Sequence, residues 1–385
     1  MRFWDNVALN GAARAEVRRE NASGALNDPS IDVVVAEALE WLKRAQERSL
    51  SFDGGIARDY TLGKGWSTSY PETTGYAIPT LIREAQLRND RELLARTRRM
   101  LDWLVAIQMP CGAYQGGHIG AAPVVPVTFN TGQIVLGLAA GARAFGEPYR
   151  TAMCQAADWL VSTQDADGCW RRYPTPFAVS GEKVYETHVA FGLLEAARVQ
   201  PGGRYAEAAM RNVHWSLSHQ ASNGWLDRCC LIDPLFPLTH TLGYALRGFV
   251  EAYRFSRDTQ LLDVARKTAD GILGALGPDG FLPGRLDAGW KSDVSWSCLT
   301  GTAQVAICWL LLYQETKDTS YRDAGYLANQ YVRRTVRIDG PEQTRGAVKG
   351  SFPIAGEYCR FQYPNWACKF FIDANCLEKA IREEE

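Results

Sequence analysis

The chain has 385 residues, of which 46% are hydrophobic and 22% are charged, and its formal net charge is -1 at pH 7. A chain so close to neutral has no overall attraction for nucleic acid or for an anionic membrane surface. No apolar stretch is long enough to span a bilayer, and the first residues lack the core of a signal peptide. We therefore expect a cytoplasmic protein without a transmembrane segment and without a nucleic-acid partner.

A short repeat, Trp-Leu-x-x-x-Gln followed by a polar residue and a glycine, recurs about every 56 residues, a spacing typical of repeat architectures. Its copies begin at Trp41, Trp103, Trp159 and Trp215, and two copies that lack the tryptophan begin at Gly271 and Tyr331. Six copies at one spacing predict six copies of one supersecondary unit, none of which can bury its apolar face alone.

Each unit of the repeat predicts a pair of helices. The first run, such as 152–164, is amphipathic and stops at an Asp-Gly or Asn-Gly turn. After a loop of variable length comes the second run of the unit. An example from the preceding unit, 134–144, is apolar on all sides, as in a buried helix. Six such pairs predict an all-α (α/α)6 toroid, with the second helices as its inner ring. We expect residues 33–385 to form this single domain and residues 1–32 to form an N-terminal arm or cap.

The start of every predicted inner helix contains Ser, Thr or Asn, the residue types that cap helix N-termini. Aromatic, carboxylate, amide and imidazole side chains stand beside them, and capping does not explain these. Because the inner helices start around one axis, we expect these side chains to meet at the mouth of a central cavity. Aromatic rings beside polar groups suit a sugar, and the helix dipoles favour an anionic group such as a uronate.

Five side chains at these positions are the candidates for catalysis. Glu72 and Glu186, each before a threonine, are expected at the equivalent position of the inner-helix starts in units one and three, although each could simply complement a helix dipole. An acid/base pair two units apart would suit an inverting hydrolase better than a retaining one. His240 and His188, at similar positions in adjacent units, and Tyr70 could also move protons, although a single histidine is more often a hydrogen-bonded core residue.

Nine further side chains are expected to bind substrate, because they lie at inner-helix starts or in the long loops. They are Trp66, Asn130, Tyr185, Trp290, Lys291, Trp296, Lys349, Tyr363 and Asn365. The charges of the loops nearly cancel, so the expectation of an anionic substrate depends on the helix dipoles alone. The pair Cys229-Cys230 is only a weak metal signal, and we expect reduced cysteines, no metal site and no cofactor.

One stretch of the third unit resembles a known motif. Residues 164–170, Gln-Asp-Ala-Asp-Gly-Cys-Trp, look like the QW motif of squalene-hopene cyclases and related prenyltransferase-repeat proteins. Other stretches resemble a bacterial group of single-toroid proteins that is labelled by these repeats and tends to be encoded beside surface-polysaccharide genes. These stretches are 69–76, 237–241, 295–301, 349–351 and 363–367. The resemblance covers nearly the whole chain and implies carbohydrate processing without assigning a reaction.

The isoprenoid chemistry of the cyclases fits the residues poorly. The chain has no Asp-x-Asp-Asp acid motif, and no histidine follows His240 to complete a prenyltransferase zinc site. We therefore expect an enzyme that processes a bacterial polysaccharide or glycan as a lyase, a hydrolase or a uronate epimerase. The alternatives are a terpene cyclase or prenyltransferase-like enzyme and a non-catalytic glycan-binding toroid. The sugar, the reaction and the oligomeric state stay open.

Overall fold

A computed structural model describes residues 11–23 and 27–385, and it has the predicted (α/α)6 architecture. The outer helices are α2 (Ile31–Glu47), α4 (Arg91–Ala106), α6 (Tyr149–Thr163), α8 (Arg204–Leu217), α10 (Thr259–Leu273) and α12 (Thr319–Arg333). The inner helices are α3 (Pro71–Leu87), α5 (Thr128–Phe145), α7 (Thr187–Val199), α9 (Thr239–Ser256), α11 (Leu299–Thr316) and α13 (Asn365–Glu384). A further helix, α1 (Gly11–Ser23), precedes the ring.

The inner helices form a closed ring, since each packs against the next and α13 packs against α3. Glycines set how closely they approach. A Cβ atom at Gly137 would lie 2.2 Å from the carbonyl oxygen of Gly75, and one at Gly192 would lie 2.4 Å from that of Gly132. Neighbouring inner helices therefore touch backbone to backbone at positions where only glycine fits.

The glutamine of the repeat joins adjacent outer helices. The side-chain amide of Gln108 donates to the carbonyl of Gly112 in its own turn at 2.8 Å and to that of Ala152 in α6 at 2.9 Å. Gln46 and Gln164 form the same pair of bonds one unit before and one unit after. The repeat is thus a scaffold element, and its spacing reports the stacking of hairpins.

Replacing Gln108 with leucine should destabilise the protein by about 2 kcal/mol, because two backbone carbonyls lose their donor. The free energy of unfolding from denaturant titration measures this. Gln260→Leu, at an exposed position near the start of α10, is the matched control and should change stability by less than about 0.5 kcal/mol. Equal effects of the two substitutions would contradict the bracing role.

The long loops all lie at the N-terminal end of the inner helices, as predicted, but they contain short strands that the sequence analysis did not predict. These are β1 (Asp59–Thr61), β2 (Gly65–Trp66), β3 (Ser297–Cys298), β4 (Ser351–Phe352) and β5 (Gln362–Pro364). Strand β1 pairs antiparallel with both β2 and β5, and β3 pairs with β4. The loops of the first and last units are therefore hydrogen-bonded to each other.

The expected Ser, Thr and Asn caps of the inner helices are not formed. The residues that precede these helices are Tyr70, Val127, Glu186, Leu238, Cys298 and Pro364, and none caps its helix through a side chain. The hydroxyls of Thr74 and Thr131, in the first turn, instead accept hydrogen bonds at 3.0 Å from the backbone N–H groups of Ile56 and Tyr114. These two threonines fix the long loops of the first and second units to the helices that follow them.

Helix α1 packs against the loop of the last unit. The carboxylate of Glu20 accepts hydrogen bonds from the Nζ atom of Lys349 at 2.7 Å and from the backbone of Ile354 at 2.9 Å. Residues 1–10 and 24–26 lie outside the described residues, so the predicted arm or cap over residues 1–32 stays a prediction.

Within the described ranges, no helix combines the length and the apolar character needed to cross a membrane. All ten cysteines fall in the described part of the chain, and all are free thiols, six of them buried.

Candidate active site

A cavity of about 400 Å³ lies at the loop end of the inner ring, a volume typical of small-molecule sites. Side chains from the inner-helix starts and from the long loops line it. Its aromatic lining residues are Tyr70, Tyr76, Phe129, Phe177, Tyr185, Tyr244, Tyr358 and Trp366. Five of the predicted site residues meet here, namely Tyr70, Glu72, Asn130, Tyr185 and His240.

Glu72 is the one carboxylate among the described residues that line this cavity. It is the second residue of α3, directly after Pro71, and its side chain is buried. The amide of Asn130 donates to its Oε2 atom at 2.8 Å, and the hydroxyl of Tyr70 also hydrogen-bonds to it. Burial raises the pKa of Glu72 to about 7, against the opposing effects of Tyr70 and the charge of Arg58. This carboxyl group can therefore both donate and accept a proton near neutral pH.

Arg58, which no sequence pattern singled out, brings a permanent positive charge to the cavity. Its guanidinium lies 5.3 Å from the ring centroid of Trp366 and is paired with Asp59. Asp59 is itself held by the hydroxyl of Thr61 at 2.9 Å. A guanidinium fixed on an aromatic face and facing a cavity suits a planar oxyanion such as a carboxylate. Residues 61–65 contain two glycines, a hairpin signature in the sequence. The strand pair beside Arg58 could have been predicted from it.

Aromatic rings form the wall and floor of the cavity. Phe129 packs edge-on against Tyr185 at 5.2 Å and against Tyr244 at 5.1 Å, measured between ring centroids. The hydroxyls of Tyr244 and Tyr76 lie 3.5 Å apart, and Phe370 packs against both rings. The flat C–H faces of a sugar can stack on such surfaces, while its hydroxyls reach the polar groups of the wall.

His240 lies in this cavity as a neutral ring. Its Nδ1 atom is 2.7 Å from the side-chain oxygen of Gln304, and its ring packs against Tyr244 at 4.5 Å. Burial lowers the pKa of His240 to about 4, although the hydrogen bond to Gln304 opposes this. With Nδ1 donating to the amide oxygen, Nε2 is left as an acceptor. His240 is therefore suited to bind a hydroxyl group rather than to act as an acid.

His188 does not join the other candidates. It lines a smaller pocket on the other side of Tyr76, together with Arg247 and Lys369. Its Nδ1 atom is 2.6 Å from the side-chain oxygen of Gln133, and its pKa is held well below the usual range, mainly by burial. The expectation that His188 and His240 share one cavity is therefore not met.

Glu186 is buried but does not line the cavity. It ends a short 3-10 turn, Val184–Glu186, and immediately precedes α7, whereas Glu72 is the second residue of α3. A difference of two positions rotates a side chain by about 200° around a helix, so the two carboxylates face different surroundings. Burial raises the pKa of Glu186 to about 8, partly offset by Lys183. The expected pair of carboxylates across one cavity is not formed.

The buried carboxyl of Glu186 predicts a loss of stability at alkaline pH. Its folded pKa is raised, so the stability it contributes is present at low pH and is lost as pH rises through about 8. Histidines with lowered pKa act in the opposite direction below about pH 6.5, which makes pH 6.5 to 8 the informative window. There the free energy of unfolding should fall by about 2 kcal/mol in the wild type, because Glu72 with its pKa of about 7 adds to Glu186, and by clearly less in Glu186→Gln, where only Glu72 remains. Denaturant titrations at the two pH values measure this, and equal slopes would contradict it.

Three of the predicted binding residues serve the joint between the first and last units. Asn365 donates to the carbonyl of Ala57 at 2.9 Å, and Tyr363 is buried opposite Tyr60 in the β1–β5 pair. Trp66 packs on Trp41 with ring centroids 5.4 Å apart. These side chains position the loop that carries Arg58, and they do not line the cavity.

The other predicted binding residues also lie outside the cavity. Lys349 is buried and paired with α1, and Trp296 is buried beneath the loop of the fifth unit. Trp290 donates to the carbonyl of Asn223 at 3.0 Å, and Lys291 is exposed on the same loop. Side chains at the loop end thus divide into a cavity lining and a supporting layer.

No group of three or more His, Cys, Asp and Glu side chains within residues 11–23 and 27–385 is placed to hold a metal ion. The expectation that the protein works without a metal or cofactor stays a prediction.

Comparison with known proteins finds solved structures of the same fold, although neither protein-family models nor curated proteins match the chain. An unsaturated glucuronyl hydrolase specific for heparin is 16% identical with a TM-score of 0.73, over 92% of this chain and 98% of that chain. The enzyme of this name from Bacillus sp. GL1 is 14% identical with a TM-score of 0.71, over 90% and 96% of the two chains. That from Streptococcus agalactiae is 13% identical with a TM-score of 0.68, over 94% of each. At this identity the likeness establishes the (α/α)6 fold, and the resemblance to squalene-cyclase repeats stays a prediction.

Proposed function

We propose that this protein is a glycoside hydrolase that removes an unsaturated uronate from the end of a glycan, with Glu72 as the acid and base. The observation that carries the proposal is Glu72, the single carboxylate that the described residues place in the cavity lining, which is buried and bonded to Asn130 and has a pKa of about 7. Arg58 in the same cavity supplies a positive charge for the uronate. The three compared enzymes, which share the fold, are named as unsaturated glucuronyl hydrolases.

The number of carboxylates in the cavity lining decides which mechanism of glycoside hydrolysis is supported. Direct displacement at the anomeric carbon uses two carboxyl groups that flank the scissile bond. Within the described part of the chain, Glu72 has no such partner in the lining, because Glu186 faces elsewhere. Hydrolysis of a sugar with a C4=C5 double bond needs only one carboxyl group, since the ring oxygen already activates the double bond toward protonation.

The steps follow from the chemistry of such an enol ether. Glu72 transfers its proton to C4, which leaves a positive charge shared between C5 and the ring oxygen. The resulting carboxylate takes a proton from water as the water oxygen bonds to C5, so Glu72 is protonated again. The hemiketal formed at C5 opens to a ketone, and C1 then releases the rest of the glycan as an alcohol. One water molecule is consumed, and no bond to the protein forms.

Two neighbours of Glu72 have defined parts in this scheme. The Asn130 amide and the Tyr70 hydroxyl hold the carboxyl group in one orientation, and the raised pKa of Tyr70 keeps that hydroxyl protonated as a donor. Burial raises the Tyr70 pKa well above its usual range, and the nearby Glu72 adds to this. The tyrosine is therefore a positioning group rather than a second base.

The test is incubation of the protein with disaccharides that end in unsaturated glucuronate, in saturated glucuronate and in a neutral sugar. The proposal expects loss of the absorbance of the unsaturated uronate together with new reducing ends, and no reaction of the other two. New absorbance from a longer glycan whose saturated uronate carries a sugar on O4, the leaving group of an elimination, would indicate a lyase. Solvent deuterium at C5 without cleavage would indicate an epimerase. Turnover of a polyprenyl substrate with all sugars untouched would overturn the proposal.

A further inference from the structure

Three consecutive loops at the cavity mouth expose apolar side chains. They comprise residues 121–126 (Ala-Ala-Pro-Val-Val-Pro), 174–179 (Pro-Thr-Pro-Phe-Ala-Val) and 231–236 (Leu-Ile-Asp-Pro-Leu-Phe), and we call them the apolar rim. The exposed side chains include Val124 at 61%, Phe177 at 58%, Ile232 at 65% and Leu235 at 71% of their full areas. An exposed apolar patch of this kind marks an interaction surface.

The rim carries almost no charge. Its single charged residue, Asp233, is turned onto its own loop, where its Oδ1 atom accepts from the backbone N–H groups of Leu235 and Phe236. By contrast, the loop of the fifth unit, 277–296, carries Asp279, Arg285, Asp287, Lys291 and Asp293. The loop of the fifth unit therefore does not continue the apolar rim.

The three loops form one surface. The backbone N–H of Val179 donates to the carbonyl of Leu231 at 2.8 Å, which joins the second loop to the third. The ring of Phe177 packs over Gly117, just before the first loop, where an added Cβ atom would lie 2.9 Å from the Phe177 ring and 3.6 Å from the Cβ of Ala121. Gly117 thus links the first loop to the second. Five prolines restrict these loops, so little backbone entropy is lost when the rim is covered.

The rim is continuous with the cavity, because Phe177 and Leu231 belong to both. A second copy of the chain seated on the rim would stand over the mouth and obstruct the substrate. A lipid surface would leave the mouth open to a sugar that projects from it. Apolar loops that lie beside a sugar-sized cavity thus match a ligand with both an apolar part and a glycan part.

We infer that the apolar rim docks this protein on a lipid bilayer, where the cavity receives the glycan head of a membrane-bound glycolipid. The identity of the head rests on the proposed function, but docking does not. Apolar contact drives the binding, since the chain has a net charge of only -1 and the rim has no cations of its own. Binding is therefore expected on uncharged lipid and should depend little on salt.

The test is co-sedimentation of the full chain with phosphatidylcholine vesicles. The wild type should sediment with the vesicles, and Leu235→Asp and Val124→Asp should each weaken the partitioning about tenfold or more. Leu87→Asp is the matched control, because Leu87 at the opposite end of the toroid is also 71% exposed. It should leave the partitioning unchanged.

Two results would overturn the inference. One is a wild-type protein that stays in solution at all vesicle concentrations. The other is a dimer, by light scattering, that Leu235→Asp converts to a monomer, because the rim would then bind a second copy. Vesicle binding without turnover of any glycan would instead refute the proposed function and leave the docking intact. Turnover of a water-soluble disaccharide should be the same in Leu235→Asp and in the wild type.

Discussion

Glu72→Gln is expected to lower kcat by about three orders of magnitude, because it removes the one carboxyl group that the described residues bring to the cavity lining, and with it the proposed proton donor. The substituted amide has the same shape and can still accept the hydrogen bond from Asn130. Substrate binding and the free energy of unfolding should therefore change little. Steady-state kinetics on the unsaturated disaccharide, with a binding measurement on the inactive variant, separates these effects.

The control for this variant is Glu186→Gln, which neutralises a carboxyl group of similar burial outside the cavity. It should keep turnover within about threefold of the wild type. The pH profile gives a second check. Glu72 must carry its proton at the start, so kcat/KM should fall as pH rises through about 7. Full activity of Glu72→Gln, or inactivity of Glu186→Gln with an intact fold, would refute the assignment.

Arg58→Met should reduce kcat/KM on the uronate about 10- to 100-fold, because a carboxylate loses charge-assisted hydrogen bonds to the guanidinium. Methionine fills a similar volume and can still pack on Trp366, but it leaves the buried Asp59 without its ion pair, so the free energy of unfolding is measured alongside. The measurement compares the uronate with its carboxamide, which has the same shape but no charge.

A loss specific to the charged substrate distinguishes recognition from general damage. The wild type should prefer the carboxylate to the carboxamide, and Arg58→Met should remove most of that preference. Arg58→Lys keeps the charge but not the planar fork of the guanidinium. Its preference for the carboxylate should lie between that of the wild type and that of Arg58→Met. An equal loss on both substrates would mean that Arg58 only supports the fold.

The fold was predictable because its signals repeat. The spacing of Gln46, Gln108, Gln164 and Gln220 numbered the hairpins, and each glutamine proves to bridge two outer helices. The uniformly apolar second runs identified the inner ring. Because such a signal occurs in every unit, the fold can be predicted even when the signal is lost or misread in one unit.

The site was predictable only in part, because it depends on what differs between units. Glu72, Asn130 and His240 were found by comparing helix starts, but Glu186 was matched in the wrong register. Gly75 packs on Ile134 of the next inner helix, and Gly132 packs in the same way on Val189 of the helix after that. Ile134 and Val189 are therefore equivalent positions. Counting back from them places Glu186 in register with Thr131 and Thr74. Only the packing of neighbouring helices reveals this two-residue offset.

Arg58 shows a second limit of the sequence. It lies in an irregular loop whose place is fixed by the pairing of β1 with β5, two segments about 300 residues apart in the chain. Neither helical periodicity nor the repeat carries information about such a contact.

The closure of the ring by its first and last units has a consequence for how the protein is made. The cavity takes Arg58, Tyr70 and Glu72 from the first unit and Tyr358 and Trp366 from the last. Because a chain emerges from the ribosome with its N-terminal part first, the earlier hairpins can stack before α13 exists. The cavity is complete only when α13 reaches α3, so a prematurely terminated chain carries Glu72 in a cavity that lacks the wall from the last unit. The candidate site is thereby complete only in molecules whose synthesis has passed the last helix.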